Sequence, residues 1–599
     1  MRSSRAYALR GFALFTLTLI ATSCTTGSAD TGFFGKTDPP KENVLRYITG
    51  SEPESLDPHI GSGQPEARLY MALYEGLVEY DPKTNLPIPE LAERWDINPD
   101  NSQFVFYLRK GARFSNGDPI TAHDFVYSLQ RGLSPQLAAR YAYIAYYIKY
   151  AQGYNESGFF VRDRLTGEFE VDRATRLRVV KPGDTKPIPG KELVAVKAED
   201  IGVEALDDYT LRITLVQPAP FFLAMLPHQF FRVVSRKSIQ KYGDALWTQP
   251  ENIISSGPFR LKEWIPYDKI VVVPDPMYWD AGRVKLDEIR FYAIEDQTTS
   301  MNLYKAGEIE GSQNHSVPAS WLDVIMPMKD YMNAPEITTE YYQINVKKPP
   351  MDDKRVRHAF NMAIDKVALA RFRRVAKPST ALVPEGILPG YPRPDGDPFD
   401  VARARQLLAE SGFEDSQGNY DPGKFPVQDV ELTYNTVESN RQVAEFVQAQ
   451  WKQNLGITVP LKNMEFKTFL VTRAKLEYKG FARSGWVGDY LDPVTFLNLF
   501  YTPAGDNGTG WWDPKYVAMI DDANRVTDPH ERYVELAKAE AYMLDAQPII
   551  PLLTQATNWM KKPYVKGMYP NPETLHAWKF VYIERDPAKW DYGVPDMKN

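Results

Sequence analysis

The chain of 599 residues contains one cysteine, Cys24, so it cannot form an internal disulfide. Its seven histidines lack the spacing of metal ligands, and no phosphate-binding loop, dinucleotide fingerprint, HExxH motif or nucleophile elbow is present. There is no run of basic residues and the formal net charge is −7, which argues against nucleic acid as a partner. We therefore expect a binding protein that uses no cofactor and no metal ion, rather than an enzyme.

Long apolar runs are also missing, and the clearest short one lies near the N-terminus. Residues 12–21 form an apolar run that is too short to span a bilayer. The run follows three arginines and precedes small residues, which predicts a signal peptide over residues 1–23. A lone cysteine at position 24 resembles the lipobox of bacterial lipoproteins, so Cys24 is predicted to carry a lipid anchor; a plain secreted protein is the alternative. Residues 24–41, which are mostly small and polar, are predicted to be a flexible tether.

A chain of this length is too long for one hydrophobic core and should divide into two to four domains. Thr121 followed by Asp124 predicts the capped start of a helix, and the pattern of residues 354–372 predicts one continuous helix. Residues 151–200 have weak periodicity and are interpreted as a surface insertion. The strand–helix–strand–helix order of residues 428–490 predicts an α/β domain with parallel strand pairing.

The stretch from Phe481 to Pro493 contains the strongest candidate for a ligand site. It places a cation (Arg483), a large aromatic ring (Trp486) and a carboxylate (Asp489) within seven residues. Gly485 and Val487 lie between them and leave room for a second backbone to pair in extended form, while Asp489 could accept hydrogen bonds from an ammonium. Together these features predict a clamp for a short extended peptide. A buried strand that ends at an Asp-Tyr turn is the alternative.

Several segments resemble the peptide-binding family of ABC-transporter substrate-binding proteins, in particular the oligopeptide-binding proteins. The similar segments are SEPESLDPH (51–59), LYEGL (73–77), FSNGDPITAHDFVYSLQR (114–131), KPPMDDKRVRHAFNMAIDK (348–366), FKTFLVTR (466–473), GWVGDYLDP (485–493) and FLNLF (496–500). They occur in family order over residues 44–590. The resemblance implies an α/β, two-lobed periplasmic-binding-protein-like fold with three discontinuous domains and a hinge. Their expected ranges are 40–75, 236–337 and 557–599 for domain I, 76–235 for domain II, and 338–556 for domain III.

The resemblance also implies how a peptide would be held at its ends. Asp489 stands where an aspartate of the family binds the α-ammonium of the peptide. Arg483 and basic residues of the third domain, one of which Arg374 matches, stand where the C-terminal carboxylate of the peptide can be bound, and Arg473 is a further expected peptide contact. Ser62 replaces an acid that helps to bind the ammonium, which is expected to leave Asp489 more alone.

Further positions are expected to contact the middle of the peptide. Gly485 and Val487 would supply strand hydrogen bonds, and Trp486 would form the wall of a side-chain pocket. The loop from Ser62 to Gln64 should face the peptide. Other expected peptide contacts are Tyr141, Phe466 and Asn440, the last of which replaces a histidine used for longer peptides.

The expected partners are short peptides and the permease subunits of an ABC transporter, with the protein acting as a monomer at the outer side of a bacterial membrane. Within the same superfamily the alternatives are dipeptides, opine-like compounds, sugars or metal chelates, of which sugars are disfavoured because they carry no ammonium. A secreted hydrolase or an envelope chaperone is the alternative of a different class.

Overall fold

The computed structural model describes residues 32–61, 63–172, 176–184, 188–436, 438–503 and 506–590. The predictions for the signal peptide, Cys24 and Ser62 lie outside these ranges. Three sheets of four or more strands organise the described chain. Within the described ranges, no helix combines the length and apolar character that crossing a membrane requires.

The first sheet is assembled from segments that are far apart in sequence. Its five strands lie in the order Phe259–Ile265, Lys269–Pro274, Glu288–Tyr292, Val44–Ile48 and Gly311–Ser312. The helices Gln64–Leu73, Arg236–Tyr242 and Gln297–Ala306 belong to the same region. The fully buried ring of Trp578, near the C-terminus, contacts Tyr47 and Phe291 of this sheet at centroid distances of 5.2 and 5.3 Å. Both ends of the described chain therefore pack into one core.

The second sheet has four antiparallel strands, in the order Val203–Asp207, Thr210–Thr214, Gln103–Leu108 and Ala92–Ile97. The helix Ala122–Gly132 contacts it and begins at the predicted cap, where the N–H of Thr121 donates to Asp124 Oδ2 at 2.8 Å. Between residues 151 and 200 the chain forms a short helix, Ala151–Asn155, and a small sheet of its own. The strands of that small sheet are Lys191–Ala195, Phe159–Asp163 and Val179–Val180.

The third sheet contains the strand Gly480–Val487, which includes the first residues of the candidate stretch from Phe481 to Pro493. Its six strands lie in the order Ala376–Pro378, Ile549–Ala556, Pro335–Ile344, Gly480–Val487, Glu431–Asn435 and Leu461–Met464. Glu431–Asn435 pairs in parallel with both Leu461–Met464 and Gly480–Val487, which confirms the predicted parallel pairing. The intervening helices are Glu438–Leu455 and Phe466–Ala474, and further helices of this region are Val401–Glu410, Pro514–Ala523 and Pro529–Ala546.

Two expectations about local structure were wrong. The single helix predicted over residues 354–372 is two helices, Lys354–Met362 and Lys366–Arg373. Asp365 starts the second helix, because its carboxylate accepts the N–H of Ala368 at 2.9 Å and so replaces a missing intrahelical bond. The tether predicted through residue 41 is not free at Phe34, which is 8% exposed and whose N–H donates to Asp330 at 3.0 Å.

The first and third sheets are connected by two chain segments that run side by side. Tyr331–Met332 pairs with Trp559–Met560, and beyond them Pro335–Ile344 pairs with Ile549–Ala556. The register of the second pair is irregular between Pro335 and Thr339. Two connecting strands between two α/β lobes agree with the fold implied by the resemblance.

The region of the second sheet also contacts the region of the third. The rings of Phe221 and Tyr490 are stacked with centroids 5.4 Å apart and planes inclined by 8°. The amide of Asn498 donates to the hydroxyl of Tyr147 at 2.5 Å. Through these contacts the two regions enclose an interior space between them.

Candidate ligand-binding site

A cavity of about 690 Å³ lies where the three sheet regions meet. Its lining includes Gln64, Arg68, Gln313, His315 and Glu573 from the region of the first sheet, Tyr80, Tyr141, Tyr143, His228 and Arg232 from the second, and Glu336, Trp486, Val487, Asp489 and Asp506 from the third and its connecting strand. Because distant parts of the chain supply the lining, the cavity depends on the closed contact between the lobes.

One strand of the third sheet has a partly open edge beside this cavity. Gly480–Val487 pairs antiparallel with Pro335–Ile344 through to Val487. On its other side it pairs with Glu431–Asn435 only at Gly480, Phe481 and Ala482. Residues 483–487 therefore have a strand partner on one side only, among the residues that the structure describes.

The register shows which main-chain groups point to that open edge. At the two ends of the antiparallel pair, the N–H of Gly488 donates to Ile337 at 2.8 Å, and the N–H of Asn345 donates to Gly480 at 2.9 Å. Because alternate residues of an antiparallel strand form main-chain hydrogen bonds to the partner, the even-numbered residues of 480–488 bond to the side of Pro335–Ile344. The N–H and C=O groups of residues 483, 485 and 487 are thus directed to the opposite edge, where they are available to an added strand.

Asp489 lies just after this strand and is half-buried. The hydroxyl of Tyr143 donates to its Oδ2 at 3.2 Å, and its own N–H donates to Thr495 Oγ1 at 3.0 Å. Burial raises the pKa of Asp489 to about 7, while the hydrogen bond from Tyr143 lowers it and the charge of Asp506 raises it. Because the hydrogen bond from Tyr143 does not offset the cost of burying the charge, this carboxylate is suited to receive a cation from a ligand.

Two further acids line the same cavity. Glu573 and Glu336 are each 8% exposed. Burial, and then the charges of Asp489 and Glu336, raise the pKa of Glu573 to about 8. Glu336 Oε2 lies 3.1 Å from His315 Nε2. Acids from other parts of the chain therefore line the same cavity as Asp489.

The basic groups of the lining have partners elsewhere. Arg232 is buried and donates to Glu79 Oε1 at 2.9 Å and to the C=O of Tyr74 at 2.8 Å. Arg68 donates to the C=O of Thr49 at 3.2 Å. Burial, and then the charge of Arg232, lower the pKa of His228 to about 3, so this imidazole is neutral near pH 7.

Five of the predicted peptide contacts line the cavity together: Gln64, Tyr141, Trp486, Val487 and Asp489. Gly485 lies on the same strand, two residues before Val487. The ring of Tyr141 lies 4.7 Å from that of His228, and the indole of Trp486 donates to Thr495 Oγ1 at 3.4 Å. The structure therefore brings a carboxylate, two aromatic rings and an open strand edge into one place.

Four of the other predicted residues do not line this cavity: Arg483, Arg374, Asn440 and Arg473. Arg483 Nε lies 3.7 Å from Glu340 Oε1, Arg374 is paired with Asp323, and Asn440 donates to Asn435 Oδ1 at 2.9 Å. Arg473 is closest to the cavity, because it donates to Ser484 Oγ at 3.0 Å and lies 3.5 Å from the lining residue Asp506. Phe466 begins the helix Phe466–Ala474, and its side chain, like Ser62, lies outside the described part of the chain.

Sequence reasoning missed several acidic and hydroxyl groups of the cavity, among them Tyr143, Glu336 and Glu573. Tyr143 follows the predicted Tyr141 by two residues in an aromatic run, which is a usable signal. Glu336 and Glu573 have no such signal, because nothing in their local sequence indicates that they face Asp489. Only the contact between lobes places them there.

Known proteins resemble this chain in sequence and in fold. The family model described as bacterial extracellular solute-binding proteins, family 5 Middle, matches residues 87–508. The periplasmic oligopeptide-binding protein OppA of Salmonella typhimurium is 33% identical over 544 residues, which cover 88% of this chain and 90% of that protein.

Two solved structures extend the comparison. The unliganded open form of the murein tripeptide-binding protein MppA has a TM-score of 0.72 and 29% identity, and the match covers 91% of this chain and 98% of that one. OppA of Haemophilus influenzae, in complex with the peptide RPPGFSPFR, has a TM-score of 0.69 and 28% identity, with coverage of 91% and 100%.

Proposed function

Because the chain belongs to the bacterial extracellular solute-binding proteins of family 5, we propose that it captures short peptides in extended form in the cavity between its lobes. As a member of this family it is a solute-binding protein of a transport system and not an enzyme. The observation that carries the proposal is the open strand edge of residues 483–487, which ends two residues before the carboxylate of Asp489. An edge of this kind accepts a peptide backbone, and a carboxylate beside it can hold the ammonium at the end of that backbone.

The peptide adds to the sheet as a further strand. Gly485 and Val487 supply main-chain hydrogen bonds, which do not depend on the side chains of the peptide and so accept many sequences. Trp486 and Tyr141 provide apolar surface beside that backbone. Such a site gives affinity through the main chain and leaves selectivity to the remaining lining residues.

Asp489 binds the α-ammonium of the peptide. Burial disfavours the charge of Asp489 and raises its pKa to about 7, and an ammonium would relieve this cost by pairing with the carboxylate. Of the predicted basic residues Arg473 lies nearest to the cavity, 3.5 Å from the lining residue Asp506, and it is the best-placed of them for the peptide carboxylate. Arg483, Arg374, Asn440, Phe466 and Ser62 remain proposed contacts for longer peptides or for other states of the lobes.

Capture requires the lobes to open and close. Tyr143 and Asp489 come from different lobes and are hydrogen-bonded, and Phe221 stacks on Tyr490 across the same boundary. Closure therefore buries a bound peptide, and opening releases it by separating these contacts. The two connecting strands near residues 333–338 and 554–558 are the proposed hinge.

Further parts of the proposal rest on sequence and on relatives. We propose that Cys24 is lipidated after removal of residues 1–23, and that the monomeric protein works at the outer side of a bacterial membrane. It would deliver peptides to the permease subunits of an ABC importer. The domain ranges are kept as proposed, with domain I at 40–75, 236–337 and 557–599, domain II at 76–235, and domain III at 338–556.

Native mass spectrometry after incubation with a mixed peptide library tests the function. We expect one intact peptide per protein molecule. Shortened peptides would indicate a hydrolase, and preferential binding of unfolded proteins would indicate a chaperone, so either result would overturn the proposal. The lengths and sequences of retained peptides would also separate an oligopeptide binder from a dipeptide binder.

A further inference from the structure

Glu573 is an acid that has no role in the proposed capture mechanism. It lines the cavity, is more than nine-tenths buried, and its Oε1 has no hydrogen-bond partner among the described residues. Its backbone N–H is satisfied by Asn85 Oδ1 at 3.1 Å, so the segment itself is well held. A buried carboxylate without a partner is costly, and this cost indicates a ligand group that is not supplied by the chain.

The charges near Glu573 disfavour its ionised form. Those that act on it are Asp489 and Glu336, both acids, and with burial they raise its pKa to about 8. The hydroxyls of Tyr80 and Tyr141 are in the same surroundings, since the charges of Asp489 and Glu573 raise their pKa values after burial has done so. This end of the cavity is therefore strongly anionic whenever its carboxyl groups are ionised.

The basic groups of the cavity do not neutralise it. Arg232 is occupied by Glu79, and His315 is paired with Glu336 at 3.1 Å. Arg68 donates to the C=O of Thr49 at 3.2 Å, and its charge adds to burial in lowering the pKa of His576. Among the described residues no group of three or more His, Cys, Asp or Glu side chains is arranged to hold a metal ion. An organic cation is thus the ligand chemistry that fits.

We propose that Glu573 determines specificity by pairing with a basic side chain in one of the first two residues of the bound peptide. The proposal rests on the function given above, because it needs the α-ammonium to be held by Asp489. The α-ammonium is held by Asp489, and a peptide with a basic residue near its amino terminus supplies a second cation, which Glu573 can pair with. Both Glu336 and Glu573 have a buried oxygen without a hydrogen-bond partner among the described residues, but Glu336 Oε2 lies 3.1 Å from His315 Nε2, whereas the charges that act on Glu573 are those of acids.

Isothermal titration calorimetry with matched tripeptides tests the proposal. Lys-Ala-Ala and Ala-Lys-Ala are compared with the same peptides carrying norleucine, which has the length of lysine without its charge, and with Ala-Ala-Lys. We expect lysine at position one or two to bind at least tenfold more tightly than norleucine at that position. Ala-Ala-Lys should gain no such advantage, because its basic group lies away from the anionic end.

Substitution of Glu573 then assigns the preference to this residue. In Glu573→Gln the advantage of lysine over norleucine should fall to less than threefold, while the affinity for the norleucine peptides stays nearly constant. In the matched variant Glu336→Gln, which changes an equally buried acid of the same cavity, the advantage should persist. Retention of the lysine preference in Glu573→Gln would overturn the proposal.

A proton count separates ionic pairing from a purely structural effect. With a pKa of about 8, Glu573 is mostly protonated in the empty protein at pH 7 and must release about 0.9 proton when it pairs with lysine. Calorimetry in buffers of different ionisation enthalpy should show that this release is lost in Glu573→Gln. If lysine and norleucine peptides bind equally, only the assignment of Glu573 fails. If neither binds, the proposed function fails with it.

Discussion

Replacement of Asp489 by asparagine should weaken the binding of peptides with a free amino terminus by about 10- to 150-fold. The substitution keeps the shape of the side chain and removes its charge. A hydrogen bond between charged groups contributes about 1.5–3 kcal/mol, and each 1.4 kcal/mol corresponds to a factor of ten in affinity. Calorimetry with Ala-Ala-Ala at pH 7.5 measures the loss directly.

N-acetylated Ala-Ala-Ala provides the matched ligand control. Acetylation removes the α-ammonium, so this peptide should bind weakly to the wild type and lose little more in Asp489→Asn. The protein control is Asp522→Asn, because Asp522 is an exposed acid outside the cavity lining and is paired with Arg525 at 2.6 Å. We expect that variant to change the affinity for Ala-Ala-Ala by less than threefold.

The pH profile gives an independent check of the same residue. Only the ionised carboxylate attracts the ammonium, so affinity falls as the pH drops below the value of about 7 that burial gives to Asp489. The α-ammonium of a peptide has a pKa near 8, so affinity also falls above that pH. The two limits predict a maximum near pH 7.5 and a decrease of roughly 50-fold at pH 5, where about 1% of the carboxyl is ionised.

Two results would refute this reasoning. One is equal binding of the free and the acetylated peptide by the wild type, which would separate Asp489 from the ammonium. The other is the same acidic decrease in Asp489→Asn as in the wild type, which would assign the titration to another group.

Three further predictions concern neighbouring features. The pKa of Glu573 is about 8 in the folded protein against about 4.5 unfolded, so its protonated form favours folding at low pH and that contribution is lost as pH rises towards 8. Glu573→Gln should therefore stabilise the empty protein by about 3 kcal/mol at pH 7 and little at pH 4, and denaturant titrations showing no such difference would contradict this. Tyr143→Phe removes the hydrogen bond that lowers the pKa of Asp489, so the acidic limb of the binding profile should move to higher pH; an unchanged limb would exclude this role. Asp365→Ala removes the helix cap to Ala368 and should lower the free energy of unfolding by about 0.5–2 kcal/mol, whereas Asp365→Asn should retain most of it.

The opposite signs expected for Glu573→Gln identify a trade-off between stability and binding. The same substitution should stabilise the protein without ligand and weaken its binding of peptides with lysine at position one or two. A residue that served only in packing would not behave in this way, because its replacement would destabilise the fold. Groups that await a ligand are commonly costly to the protein without it.

Local sequence was sufficient for several features. The Thr121 cap, the parallel pairing around residues 431–487 and the placement of Asp489 just after a strand were all predicted from nearby residues. Each depends on periodicity or capping over a few positions, and such short-range preferences are encoded where they act. The break between the two helices at Asp365 was missed, although the capping residue was visible, because the apolar spacing continued through it.

Tertiary structure alone decided the electrostatic character of the cavity. The sequence by itself determined that residues 485–489 combine an extended strand with a carboxylate, which was enough to predict a peptide clamp. It could not show that Tyr143, Glu336 and Glu573 line the same cavity as Asp489. These residues belong to segments that are distant in sequence and come close only when the chain folds and the lobes close. Burial sets the pKa values of Asp489 and Glu573, and burial is a property of all the surrounding segments rather than of any one of them.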